Sequence, residues 1–112
     1  MPDSGWWDDI QRGRDETKSL NTPKPAKERL TRALQLLIAY QRSKRAVDPE
    51  YSRLLELIRD PRKVALWTGH DDRQRLLRAL EHYIGYAKAR RISESEIAEF
   101  QRLAEEIRCL DE

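Results

Sequence analysis

Cysteine, phenylalanine and methionine each occur once in these 112 residues. A lone Cys109 excludes an internal disulfide framework and fits a reducing compartment. At the end of the last helical segment it reads as a small apolar packing residue rather than a nucleophile. The four glycines, Gly5, Gly13, Gly69 and Gly85, stand singly, so no Gly-rich loop can cradle a phosphate. No apolar run approaches the ~20 residues that span a bilayer. The N-terminus lacks the basic start and apolar stretch of a secretory signal. Histidine is limited to His70 and His82, and neither a Gly-x-Ser-x-Gly elbow nor a Ser/His/Asp set occurs. No segment alternates at period two, so no strand is expected. These absences describe a soluble, cytoplasmic, non-catalytic protein, with no cofactor and no metal.

The chain is rich in charge, at 38%, and in Leu, Ala, Arg, Glu and Gln, a composition that favours helix over strand. By length it is one domain, able to bury roughly two-thirds of its unfolded surface. The net charge of +2 hides a segregation. Residues 1–23 carry three basic and five acidic groups, residues 24–91 seventeen and eight, and residues 94–112 two and seven. A basic middle raises nucleic acid as a partner; the alternative is that the acidic last helix lies against basic ones.

Periodicity and stop signals give an all-α fold, a small helical bundle of about four helices (one short) with a flexible N-terminal arm. Residues 1–24 form the polar arm and linker, and residues 25–112 a single helical domain. Leu30, Leu34, Leu37 and Ile38 make the buried stripe of a helix over residues 26–45. Asp48-Pro49-Glu50 is a helix start, with Tyr51, Leu54, Leu55 and Ile58 facing inward. Asp60-Pro61 repeats that signal, which predicts a short helix from about Pro61 to Thr68, closed by Gly69 and anchored in the core by Trp67. Leu76, Leu77, Leu80, Tyr83, Ile84 and Ala87 mark a helix over about Asp72–Arg91, with Asp71 or Asp72 as its cap. Ser93 and Glu96 form a capping box, and Ile92 and Ile97 a hydrophobic staple, for a last helix over about Glu94–Cys109.

Candidate functional residues fall into three groups. His70-Asp71-Asp72 has the form of a metal-binding pair, but a metal site needs further nitrogen or sulfur ligands, and His82 lies on the face opposite Leu80. The basic residues Arg75, Arg78, Lys88, Arg90 and Arg91, on or just after one helix, could contact phosphates and support the alternative reading, a nucleic-acid-binding module. "SGWWDDI", residues 4–10, supplies Trp6, Trp7 and Ile10 either as anchors for a protein partner or as a cover folded back over the end of the chain's own bundle. The adjacent aspartates exclude an anionic membrane as its target.

The helix over residues 26–45 is apolar on both sides. Leu36 points away from Leu34, with Ala39 beside it, Arg32 and Ser43 above and below, and Tyr40 flanking. This second face predicts a homodimer interface. The leading expectation is a regulatory protein that works by stoichiometric protein–protein binding. In size, helical content and lack of catalytic groups the chain resembles small bacterial or phage regulators that sequester another protein. Examples are anti-activators of LuxR-type transcription factors and antidefence inhibitors. The likeness is one of layout and assigns no residue.

Overall fold

A computed structural model describes residues 18–110. The chain runs β1 (Lys18–Asn21), α1 (Lys24–Ser43), α2 (Pro49–Arg59), β2 (Ala65–Thr68), α3 (His70–Ala89) and α4 (Glu94–Leu110). It is an all-α bundle of four helices with one antiparallel two-stranded ribbon, in which Ser19 faces Trp67 and Leu20 faces Leu66. Helix α1 packs against α2 and α3, and α4 packs against α3. Within these elements no helix is long and apolar enough to cross a membrane.

The core forms where the helical stripes converge. Leu30 and Leu34 of α1, Leu54 and Ile58 of α2, Leu76 and Leu80 of α3, and Phe100 and Ile107 of α4 are buried together. Tyr83 stacks on Phe100 with ring centroids 4.2 Å apart and planes 22° from parallel. The acidic last helix does lie against basic partners, Arg32 reaching Glu96 at 3.0 Å and Arg29 reaching Glu99 at 4.0 Å, while a third bridge runs the other way, from Arg108 of α4 to Glu81 of α3 at 3.1 Å. Arg53 ties α2 to α3 by contacting both Glu50 and Asp72. These hydrogen bonds, Glu50 first, raise the guanidinium pKa.

Asp48 caps α2 as its position before Pro49 predicts, its Oδ1 accepting from the Glu50 N–H at 3.0 Å. The other ends depart from expectation. Helices α1 and α3 stop two residues early because both close with the same backbone motif. In each, a non-glycine residue takes left-handed φ, Arg45 and Arg91, both at 55°. The next N–H then reaches back to the last full turn: Ala46 to the Gln41 carbonyl at 2.9 Å, and Ile92 to the Ala87 carbonyl at 3.0 Å. Glycine ordinarily announces this stop, and neither site has one. At the start of α3 the cap is Gly69, not Asp71 or Asp72, and Asp72 instead pairs with Arg53 and Arg75. At α4 the expected capping box is not the arrangement seen, since Ser93 Oγ lies 2.8 Å from Ser95 Oγ and Glu96 turns to Arg32.

The largest correction concerns residues 61–68. The expected short helix is absent; Ala65–Thr68 is a strand, paired with residues 18–21 of the stretch read as linker. A four-residue ribbon is too short to display a period-two signal. Its inward side is Leu20, Leu66 and Thr68, so Trp67 points outward and is 68% exposed rather than a core anchor. Val64 is exposed as well. Arg73 is 2% exposed and donates from Nη1 to the Thr68 carbonyl, closing the ribbon onto α3. Cys109 is exposed, not packed.

Candidate protein-docking groove

Between the outward faces of α1 and α3 runs a groove of about 640 Å³, lined by Leu36, Ala39 and Tyr40 from α1 and by Glu81, His82, Gly85 and Tyr86 from α3. Each helix contributes residues spaced three and four apart, so each set forms one face. Leu36 is half-buried against the core at the floor, Tyr40 is 48% exposed and Tyr86 36%. Tyr40 leans on His82 across the groove, with ring centroids 4.8 Å apart at 50°.

Gly85 is the least expected member. A methyl group placed there would meet no atom within 4 Å, so close packing does not require glycine. Its φ is not positive either. A glycine inside a helix costs roughly 0.5–1 kcal/mol relative to alanine, and here nothing within the fold offsets that cost. What the glycine leaves is room.

Two cations sit over the groove's aromatic rings. Lys44 Nζ lies 5.8 Å from the Tyr40 ring centroid, and the Arg90 guanidinium lies 5.0 Å from that of Tyr86. On one wall Glu81 is clasped by Arg108 of α4. The Glu81 hydrogen bond, followed by that of Glu105, raises the Arg108 pKa.

Of the residues expected at a dimer interface, the structure gathers Leu36, Ala39 and Tyr40 into this groove and not the other two. Arg32 is paired to Glu96, and Ser43 donates its hydroxyl to the Tyr40 carbonyl at 2.7 Å near the end of α1. Trp6, Trp7 and Ile10 lie outside the described residues. His82, Gly85 and Tyr86 were missed as groove residues, although their spacing on the side of α3 away from Leu76 and Leu80 is a readable signal.

The cations proposed for nucleic acid do not converge. Arg75 is engaged by Asp72 in the second turn of α3, and Arg78 reaches the Tyr51 hydroxyl at 3.4 Å near the middle of the helix. Lys88, Arg90 and Arg91 stand at its far end, ten or more residues and roughly 15–24 Å away. The His-Asp-Asp stretch gains no helpers: among the described residues no group of three or more His, Cys, Asp or Glu could hold a metal ion.

Comparison with protein-family models, with curated proteins and with solved structures finds no match to this chain.

Proposed function

We propose that this is a small, non-catalytic regulatory protein of the cytoplasm that acts by stoichiometric protein–protein binding, as an inhibitor or anti-activator. The α1/α3 groove is its contact surface. The observation that carries this reading is Gly85, a helix-interior glycine with no packing reason to be there, standing between two exposed tyrosines and a half-buried leucine. Aromatic rings of this kind concentrate binding energy at protein interfaces.

The occupant we favour is a second copy of this chain, contributing its Ser4–Ile10 stretch. Two tryptophans and an isoleucine suit an apolar groove, and Asp8 and Asp9 beside them complement Lys44 and Arg90. Association of this type makes a homodimer, and the same groove then serves either self-association or capture of an effector's acidic, aromatic segment.

Sedimentation of the full chain at micromolar concentration should give twice 13.3 kDa. Leu36→Glu should yield a folded monomer, because the leucine is only half-buried. Trp6→Ala with Trp7→Ala should do the same if the 4–10 stretch is the occupant. A monomer mass for the intact chain overturns the homodimer.

A further inference from the structure

The ribbon has an edge that nothing in the fold protects. Thr22 donates its N–H to the Val64 carbonyl at 2.9 Å, so in this register Val64, Leu66 and Thr68 turn their backbone groups toward β1. Antiparallel ladders alternate, and Ala65 and Trp67 therefore turn theirs the other way. Among the described residues the sheet has only β1 and β2, and no backbone bond reaches the N–H or carbonyl of Ala65 or Trp67. Folds ordinarily guard such an edge with charge, proline or a bulge. Residues 64–68 hold no charge and no proline, in a chain that is 38% charged, and β2 pairs with β1 without a bulge.

Among the described residues the two most exposed large apolar side chains belong to this run, Val64 at 72% and Trp67 at 68%. Alternation sends them to opposite faces of the sheet, Val64 to the side of Leu66 and Trp67 to the side away. A body docked on one face leaves the other bare, whereas a strand added at the edge covers both. A second copy of β2 fits there. Laid antiparallel about a two-fold axis at Leu66, it pairs Trp67 with Ala65 of the second copy and Val64 with Thr68 of the second copy, each pair occurring twice. The outward backbone groups of Ala65 and Trp67 then bond to one another across the axis, and each indole lies beside a small alanine. An axis at Ala65 would set Trp67 against Lys63, and one at Trp67 would set ring against ring. The flanks agree in charge. Arg62 and Lys63 stand just before the strand, and Asp71 and Asp72 just after it. Antiparallel pairing carries the basic end of one copy to the acidic first turn of α3 in the other. Lys63 and Asp71 are exposed and form no ion pair among the described residues, while Arg62 reaches Asp60 at 3.7 Å and Asp72 serves Arg53 and Arg75.

We propose that the β2 edge is a self-association surface, at which two copies of the chain join their ribbons into one continuous antiparallel sheet. Ala65 and Trp67 supply the backbone bonds, Trp67 and Val64 the apolar contacts, and Lys63 with Asp71 the ion pair. This surface is separate from the α1/α3 groove and does not depend on it. An interface made by two such short strands belongs to the weak class, with a sub-millimolar dissociation constant, so by itself it leaves the chain monomeric at micromolar concentration.

The test is amide hydrogen exchange on the ¹⁵N-labelled full chain carrying Leu36→Glu, so that the groove contributes nothing to self-association. Should that variant fold poorly, Trp6→Ala with Trp7→Ala takes its place. Between about 50 μM and about 2 mM the Ala65 and Trp67 amides should slow at least about threefold, while those of Ser19 and Asn21, outward on the β1 side, keep their rates. Ala65→Pro removes one outward N–H at the first position of the strand, where proline is tolerated. It should abolish the slowing with the Thr22 amide still protected by Val64. Trp67→Lys puts a charge on the edge and should do the same. Exchange at Ala65 and Trp67 that ignores concentration overturns the proposal, whether fast, with the edge bare, or slow, with a segment of the same chain covering it. Slowing that survives both variants, or that appears at Ser19 and Asn21 instead, overturns it as well.

Discussion

Helices α1 and α3 each present two apolar faces, and the faces are built differently. Inward, Leu30, Leu34, Leu76 and Leu80 are buried, and the Tyr83 ring lies nearly flat on Phe100. Outward, Tyr40 and His82 meet at a steep tilt, Tyr86 stands half in solvent, and a glycine takes the place of a packing side chain. Close packing with buried rings is what a fold requires of a core. The outward face has the same residue chemistry without the packing. Apolar character alone therefore does not separate core from surface on this molecule; packing does.

The sharpest way to break that contrast is to cut each face in turn. Phe100→Ala removes the ring under Tyr83 and should cost about 3–5 kcal/mol, read from urea unfolding. If Tyr86→Ala costs as much, the outward face is core and the distinction fails; a loss within about 0.5 kcal/mol keeps it. Arg73→Met keeps the bulk but strips the donor from the buried Thr68 carbonyl, and should cost about 2 kcal/mol by the same measurement.

Gly85→Ala tests the contrast with opposite signs. The fold should gain roughly 0.5–1 kcal/mol, seen as a higher melting temperature, while the added methyl projects into the groove and weakens association. A variant that is more stable and still dimeric would show that Gly85 has no role at the interface.

The smallest effect belongs to Asp60, away from both faces. The Arg62 N–H above all holds its carboxyl below the ordinary value; burial opposes it, and the charges of Arg62, Lys63 and Lys27 each add a smaller lowering effect. A depressed folded pKa means that the ionised form stabilises the fold above the unfolded value, roughly 3.9, and that this contribution is lost as pH falls through the folded value. Asp60→Asn should therefore be slightly less stable than the parent at pH 7, with the gap closing as acid titrates the parent. A gap independent of pH would assign the effect to the turn and not to charge.

What the sequence determined by itself was set by local, repeating signals. Four helices follow from stripes at helical spacing, and the start of α2 from Asp48-Pro49. The second face of α1 follows from Leu36, Ala39 and Tyr40 lying opposite Leu34. Each is a relation among residues within a few turns of one another, which is the range over which composition and periodicity act. The ribbon was not legible, because residues 18–21 and 65–68 each hold too few positions to show a period, and their pairing spans nearly fifty residues of chain. That pairing decided that Trp67 faces solvent and Leu66 the core. Helix packing decided that Arg73 is buried, that the α3 cations divide, and that the groove needs His82, Gly85 and Tyr86 to close it. Tertiary structure alone likewise brought the start of α1 to the end of α2, where Lys27 Nζ meets the Asp60 carbonyl across 33 residues of chain, a contact that exists only once the segment between them has folded.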